Sequence, residues 1–269
     1  MAKSHKLSEE EFKVTGELLR ELVWCIGQAG FRGKVALKGA LALYDISLEN
    51  DQTGYRRGTQ DIDLDIKSED EYRRLFDNIV TISNSNRYGV VYEECYRRPF
   101  NNGSAGISIS GVYKGISCIL SVDMNIKEFY PIEVIDISGI DEIERYTDVA
   151  MLVTKIKVAC SPTIRRRAKD MYDIATLCTK RDFLFSEIVR VFEVKYPGEV
   201  FKLRSFVISS NYEVLRKAIE GNHQFNGIDY PALFSLVYNF LNPFTACARD
   251  YHAQYEYKWF HETRIWTAI

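Results

Sequence analysis

Apolar residues recur at Phe12, Leu18, Leu19, Leu22, Val23 and Ile26, the spacing of one face of a helix. Ser8-Glu9-Glu10-Glu11 ahead of them is a capping-box pattern, and Gly27 and Gly30 mark the stop. Val35-Ala36-Leu37 reads as a short buried strand running into Lys38-Gly39-Ala40, and Leu41-Ala42-Leu43-Tyr44 as the start of another helix. Beyond a polar loop over 48–57 the period becomes two, with Asp61, Asp63 and Asp65 alternating with Ile62, Leu64 and Ile66. On a strand the acids then share one face while the aliphatic residues point into a core. Ser68 to Glu71 is a second capping box and predicts a helix towards Ile82. Strands are predicted over 90–96, 107–112 and 116–122, the last delivering Asp123, with a further one over 132–137. From Thr147 the period is helical almost to the end, over 149–160, 166–178, 185–192, 212–219 and 231–241. The pattern therefore predicts an α+β domain over residues 1–146 and a helical domain over 147–269.

Composition narrows the class without naming a function. A chain of 269 residues, 46% apolar and 27% charged, is long enough to bury a substantial core. Six prolines and sixteen glycines exclude a collagenous or broadly disordered protein. With 35 basic against 37 acidic side chains, any nucleic-acid partner must be met by a local basic patch. The charged N-terminus lacks the apolar run of a signal peptide, and no stretch reaches the length of a membrane span. Cys25, Cys95, Cys118, Cys160, Cys178 and Cys247 form no C-x-x-C pair and have no neighbouring histidine to complete a zinc site. Reduced thiols in a cytoplasmic protein are the expectation.

Two acids facing the same way on one strand repel each other unless a partner neutralises them, by a proton or by a cation. Mg²⁺ suits Asp61 and Asp63, because it takes hard oxygen ligands and keeps waters for an incoming phosphate. Asp123 completes a set of three if its strand lies beside theirs, an arrangement able to hold metals for in-line phosphoryl or nucleotidyl transfer. The other reading is an amphipathic edge strand with a solvated acidic face. Lys38-Gly39-Ala40, between a strand and a helix start, has the backbone N–H groups and close approach that favour phosphate, or is a simple turn. Arg165-Arg166-Arg167-Ala168-Lys169 is the densest basic run, suited to phosphates or to a charged loop, and Asp173 reads as complementing a helix N-terminus. Lys157 faces away from Lys155 and reads as a solvated surface residue. The aromatic residues after Tyr230, among them Tyr238, Phe240, Phe244, Trp259 and Trp266, read as core or docking surface ahead of base stacking. His223, His252 and His261 lack ligand spacing.

Four blocks occur in order: Leu37-Lys38-Gly39-Ala40-Leu41-Ala42-Leu43, Arg57-Gly58-Thr59-Gln60-Asp61-Ile62-Asp63, Lys155-Ile156-Lys157-Val158-Ala159, and Arg166-Arg167-Ala168-Lys169-Asp170-Met171-Tyr172-Asp173-Ile174. Together they resemble the AbiEii-type nucleotidyltransferase toxin family, a branch of the DNA polymerase β-like nucleotidyltransferase superfamily. The resemblance implies a minimal nucleotidyltransferase fold with a mixed sheet, followed by an all-helical C-terminal domain that contributes Lys155 and Asp170 to the site. It places the family's glycine element on Gly39 and Ala40, flanked by Lys38, and its metal-binding acids on Asp61 and Asp63. Arg57, Thr59 and Arg166 fall to nucleotide binding, Lys155 to countering triphosphate charge, and Asp170 to orienting a cation or accepting a proton. Asp123 matches the wider superfamily's third carboxylate.

The implied activity is Mg²⁺-dependent transfer of a nucleotide from a nucleoside triphosphate to an RNA acceptor, with the tRNA 3′ end a leading candidate. The implied biological role is the toxin of a toxin–antitoxin or phage-defence pair with a cognate antitoxin protein. Two departures stand out. Ala40 occupies a position where the family often has Ser or Gly, and the gap from Gly39 to Asp61 is longer than is usual in the superfamily. A non-catalytic nucleotide-binding or interaction module and a metal-dependent phosphodiesterase are the alternatives.

Overall fold

The structure is a computed structural model that describes residues 8–43, 59, 61–87, 89–101, 103–127, 132–137, 140–159, 168–198, 209–220, 225, 228–246 and 256–269. The chain divides into two compact units, Met1–Ala42 with Gly58–Tyr146 and Thr147–Ile269 with Leu43–Arg57.

The first unit opens with α1 (Glu9–Gln28), whose capping box is formed as expected: Ser8 accepts from the Glu11 N–H, and the Glu11 carboxylate accepts from the Ser8 N–H at 2.7 Å. The other elements are β1 (Val35–Lys38), the single turn α2 (Gly39–Ala42), β2 (Asp61–Ile66), α3 (Glu69–Ser83), β3 (Val91–Asn101), β4 (Ser104–Tyr113), β5 (Ile116–Ile126), β6 (Ile132–Ile137) and β7 (Ile140–Tyr146). The seven strands form one sheet in the order β3-β4-β5-β2-β1-β7-β6. β2 runs parallel to β5 and β1 parallel to β7, while the remaining pairs are antiparallel, so the sheet is mixed. β7 was not foreseen, and β3, β4 and β5 extend past their predicted ends, which sets Asp123 inside β5 rather than at its terminus.

α1 and α3 pack on the sheet and on each other. Leu18, Leu19, Leu22, Val23 and Ile26 of α1 are buried with Ile62, Leu64, Ile107, Ile109, Leu120 and Val122 of the strands. The interface is threaded by polar contacts, Thr15 Oγ1 to Cys118 Sγ at 3.5 Å and Tyr92 Oη to the Leu18 carbonyl at 3.4 Å. That apolar layer forces the alternate residues of β2 and β5, the acids among them, onto the opposite face.

The second unit is built mainly of helices: α4 (Asp148–Ala159), α5 (Ala168–Cys178), α6 (Phe185–Lys195), α7 (Ser209–Glu220) and α8 (Tyr230–Ala246). It also carries a three-stranded antiparallel sheet that the helical period did not reveal, made of β8 (Phe183–Leu184), β9 (Tyr257–Phe260) and β10 (Ile265–Ala268). Its core is the aromatic cluster of the C-terminal segment. Phe240 meets Trp259 edge-on at 5.0 Å, Phe185 stacks on Phe244 at 4.7 Å, and Trp266 packs against Phe240 at 5.2 Å. The indole N–H groups are satisfied, Trp259 by the Cys178 carbonyl at 2.8 Å and Trp266 by the Phe240 carbonyl at 3.0 Å. Phe185, Phe240, Phe244 and Trp259 are core and Trp266 is half-buried, while Tyr238 stays exposed and Tyr251 and Tyr255 lie outside the described residues. Among the described residues no helix is long and apolar enough to cross a membrane. The described cysteines, Cys25, Cys95, Cys118 and Cys178, are all free thiols.

Candidate functional site

One row of paired residues crosses five strands of the first unit. Lys38 of β1 lies opposite Asp63 of β2, Asp63 beside Asp123 of β5, Asp123 opposite Gly106 of β4, and Gly106 opposite Arg98 of β3. Register partners present their side chains on the same face, so two carboxylates stand side by side with a cation at each end of the row. Asp61 lies one step along on that face, beside Ser121, and Thr59 donates to its Oδ1 at 2.6 Å. The strand order required to bring Asp123 next to the Asp61 strand is therefore present.

Gly39 closes the other side of Asp63. Its φ is +72°, and a Cβ there would stand 3.0 Å from Asp63 Cγ and closer still to Oδ2. Only glycine meets both conditions, the left-handed backbone and the close approach. The helix that follows, Gly39–Ala42, is one turn. It brings little macrodipole to a phosphate, so the glycine here serves Asp63 first.

Asp65 fits neither the metal-holding reading nor the alternative of a solvated acidic face. It is fully buried and ion-paired with Lys38, with Lys127 Nζ at 3.0 Å and Tyr146 Oη donating at 2.7 Å. Burial pushes its carboxyl up, and the Lys38 charge and hydrogen bond, the Tyr146 hydrogen bond and the Lys127 charge together outweigh it, leaving the pKa below its ordinary value. Lys38 thus neutralises Asp65 beneath the row. Lys127 and Tyr146, which hold the same carboxylate, were not read from the sequence; neither sits in a pattern that marks it.

At the far end of the row Arg98 forms an ion pair with Asp123 at 2.6 Å. Arg98 was also missed. The predicted strand began at residue 107, so Gly106, the residue opposite Arg98, fell outside it. Among the described residues no three His, Cys, Asp or Glu side chains gather closely enough to hold a metal ion. The donors present are nonetheless chemically suited to Mg²⁺: hard carboxylate oxygens on one sheet face, two of them paired in register, with Gly39 leaving room at Asp63.

In the second unit, Lys155 on α4 reaches Asp170 at 3.1 Å and Asp173 at 2.7 Å on α5. Asp173 is buried, so it belongs to this cluster and does not serve a helix N-terminus as the sequence suggested. Lys157 is not simply solvated, since its Nζ lies 5.8 Å from the Tyr196 ring centroid. Arg57, Arg165, Arg166 and Arg167 lie outside the described residues.

No protein-family model matches the chain, and no curated protein sequence matches it. Two crystal structures from Helicobacter pylori resemble it. JHP933 is 16% identical with a TM-score of 0.55, covering 88% of this chain and 95% of its own. A presumed nucleotidyltransferase is 17% identical with a TM-score of 0.54, covering 88% of this chain and 98% of its own. Identities this low carry the architecture alone, and on that ground the chain has a nucleotidyltransferase-like fold.

Proposed function

We propose that this chain is a Mg²⁺-dependent nucleotidyltransferase that moves a nucleotide from a nucleoside triphosphate to an RNA hydroxyl. The observation that carries the reading is the pairing of Asp63 and Asp123 at equal register on adjacent parallel strands, with Asp61 on the same face and Gly39 against Asp63. The fold shared with a presumed nucleotidyltransferase supports it. So does the four-block resemblance to the AbiEii-type toxins, from which the toxin role, the cognate antitoxin and a tRNA 3′ end as acceptor are inferred.

Asp61 and Asp63, with Asp123, would hold the metal, which supplies charge neutralisation at the triphosphate and a lowered pKa for the attacking hydroxyl. Thr59 fixes the Asp61 carboxylate by its 2.6 Å hydrogen bond. Gly39, with no Cβ, lets the Asp63 carboxylate lie against the backbone and so fixes its place on the sheet face. In the second unit, Asp170 and Asp173 hold the ammonium of Lys155. The hydroxyl oxygen attacks the α-phosphorus in line, its proton passes to solvent or a carboxylate, and the bond from the α-phosphorus to the bridging oxygen breaks. Pyrophosphate leaves with that electron pair.

A second reading, a nucleotide-binding module without turnover, draws on the Arg98–Asp123 ion pair and on the missing hydroxyl at Ala40. Pyrophosphate release separates the two. Protein incubated with total RNA, Mg²⁺ and each ribonucleoside triphosphate in turn should release pyrophosphate with at least one of them. Asp63→Ala should release at least a hundredfold less, the scale lost when a transition-state electrostatic contact is removed (about 10²–10³). A phosphodiesterase or a binding module would release none.

A further inference from the structure

The row through Asp63 ends on Arg98, and the way that side chain reaches the site is unusual. Arg98 lies on β3, two strands from Asp123, a separation of about 10 Å at ordinary strand spacing. β4 stands between them, and the residue in the path is Gly106. A Cβ at Gly106 would lie 2.5 Å from Cζ and Nη2 of Arg98, so the guanidinium passes where any other residue would place a side chain. Once across, Nη2 donates to the Val122 carbonyl at 2.8 Å and the Ile107 carbonyl at 3.3 Å, besides pairing with Asp123 Oδ1. Both carbonyls belong to sheet strands, so the plane of the guanidinium is pinned at two backbone points. Nε is buried with no partner, and Nη1 has none among the described residues. The side chain is still 39% exposed. A pinned cation with an unused pair of N–H donors therefore sits beside two carboxylates that by themselves would repel a polyanion.

We propose that Arg98 is a phosphate-contacting residue of the nucleotide site, its Nη1 donating to a phosphate oxygen of the bound nucleoside triphosphate while Nη2 stays fixed on the β4 and β5 carbonyls. This rests on the nucleotidyltransferase reading above. Arginine suits the task better than lysine, because its planar fork can bond the sheet with one nitrogen and an anion with another. Gly106 is then the residue that admits it.

The test is calorimetric titration with inorganic tripolyphosphate and with each of the four ribonucleoside triphosphates, at saturating Mg²⁺ so that metal occupancy is not what changes. Arg98→Gln should weaken triphosphate affinity at least tenfold, and Arg98→Lys should restore only part of it. Gly106→Ala keeps the arginine but fills its path, and should match Arg98→Gln. It also covers the case in which Arg98→Gln fails to fold, since the new methyl meets only the end of a flexible side chain. Wild-type affinity in both Arg98→Gln and Gly106→Ala, with binding lost in Asp63→Asn, would overturn the proposal and leave the nucleotidyltransferase reading standing. No triphosphate binding by the wild type would overturn both.

Discussion

Asp65 shows how a single side chain can belong to a catalytic pattern and yet do structural work. It repeats the alternation of Asp61 and Asp63, but two lysines and a tyrosine close over it. Removing one partner of a buried ion pair leaves an uncompensated charge, at a cost of about 3–5 kcal/mol. Asp65→Ala should therefore lower the denaturant midpoint sharply, with Lys38 and Lys127 left facing each other. The folded-state pKa of Asp65 lies below its unfolded value, so its contribution to stability is fully present above about pH 4 and fades as pH falls through the folded value. Acid titration of the unfolding free energy should show a shallower slope below pH 4 in Asp65→Asn than in the wild type. Equal slopes would mean that this carboxylate is not held as described. Asp182 behaves in the same sense: burial opposes its charge, but Lys258 and the backbone and side chain of His261 prevail and bring its pKa to about 2.

At the scale of elements, the sequence was most legible where period and caps agreed. α1 and α3 start on the serines that their capping boxes name, and β2 shows the predicted alternation of buried aliphatic residues. Asp61 and Asp63 were legible for the same reason, because period two fixes the face of every residue on a strand. Asp173 was not. Its position near a helix start pointed to the helix N-terminus, and only the packing of α5 against α4 brings it to Lys155. That contact makes the two helices an electrostatic pair. Lys155→Met should remove the ammonium that bridges two largely buried carboxylates, destabilising the protein by about 3–5 kcal/mol as judged by chemical denaturation. A change within about 0.5 kcal/mol, the range of ordinary surface substitutions, would show that the cluster is solvated.

For the whole molecule, the order of periods made legible an α+β part followed by a mainly helical one, while the mixed sheet was implied by the family resemblance. The small sheet of the second unit was not, since β8 has two residues and β9 and β10 four each, too short for periodicity to register. Arg98 escaped for a different reason. Its role depends on the order β3-β4-β5-β2, and strand order is a property of the fold that no local pattern encodes. The same order gives Asp63 and Asp123 their shared register, on which the proposed activity depends. The most direct measurement incubates the purified protein with total RNA, Mg²⁺ and each α-labelled nucleoside triphosphate separately, beside an Asp63→Ala control of equal thermal stability. The predicted result is label in a discrete RNA band with the wild type alone, which would name nucleotide and acceptor together. Folded wild-type protein that transfers no label from any triphosphate, or an Asp63→Ala variant that labels RNA as well as the wild type, would contradict it.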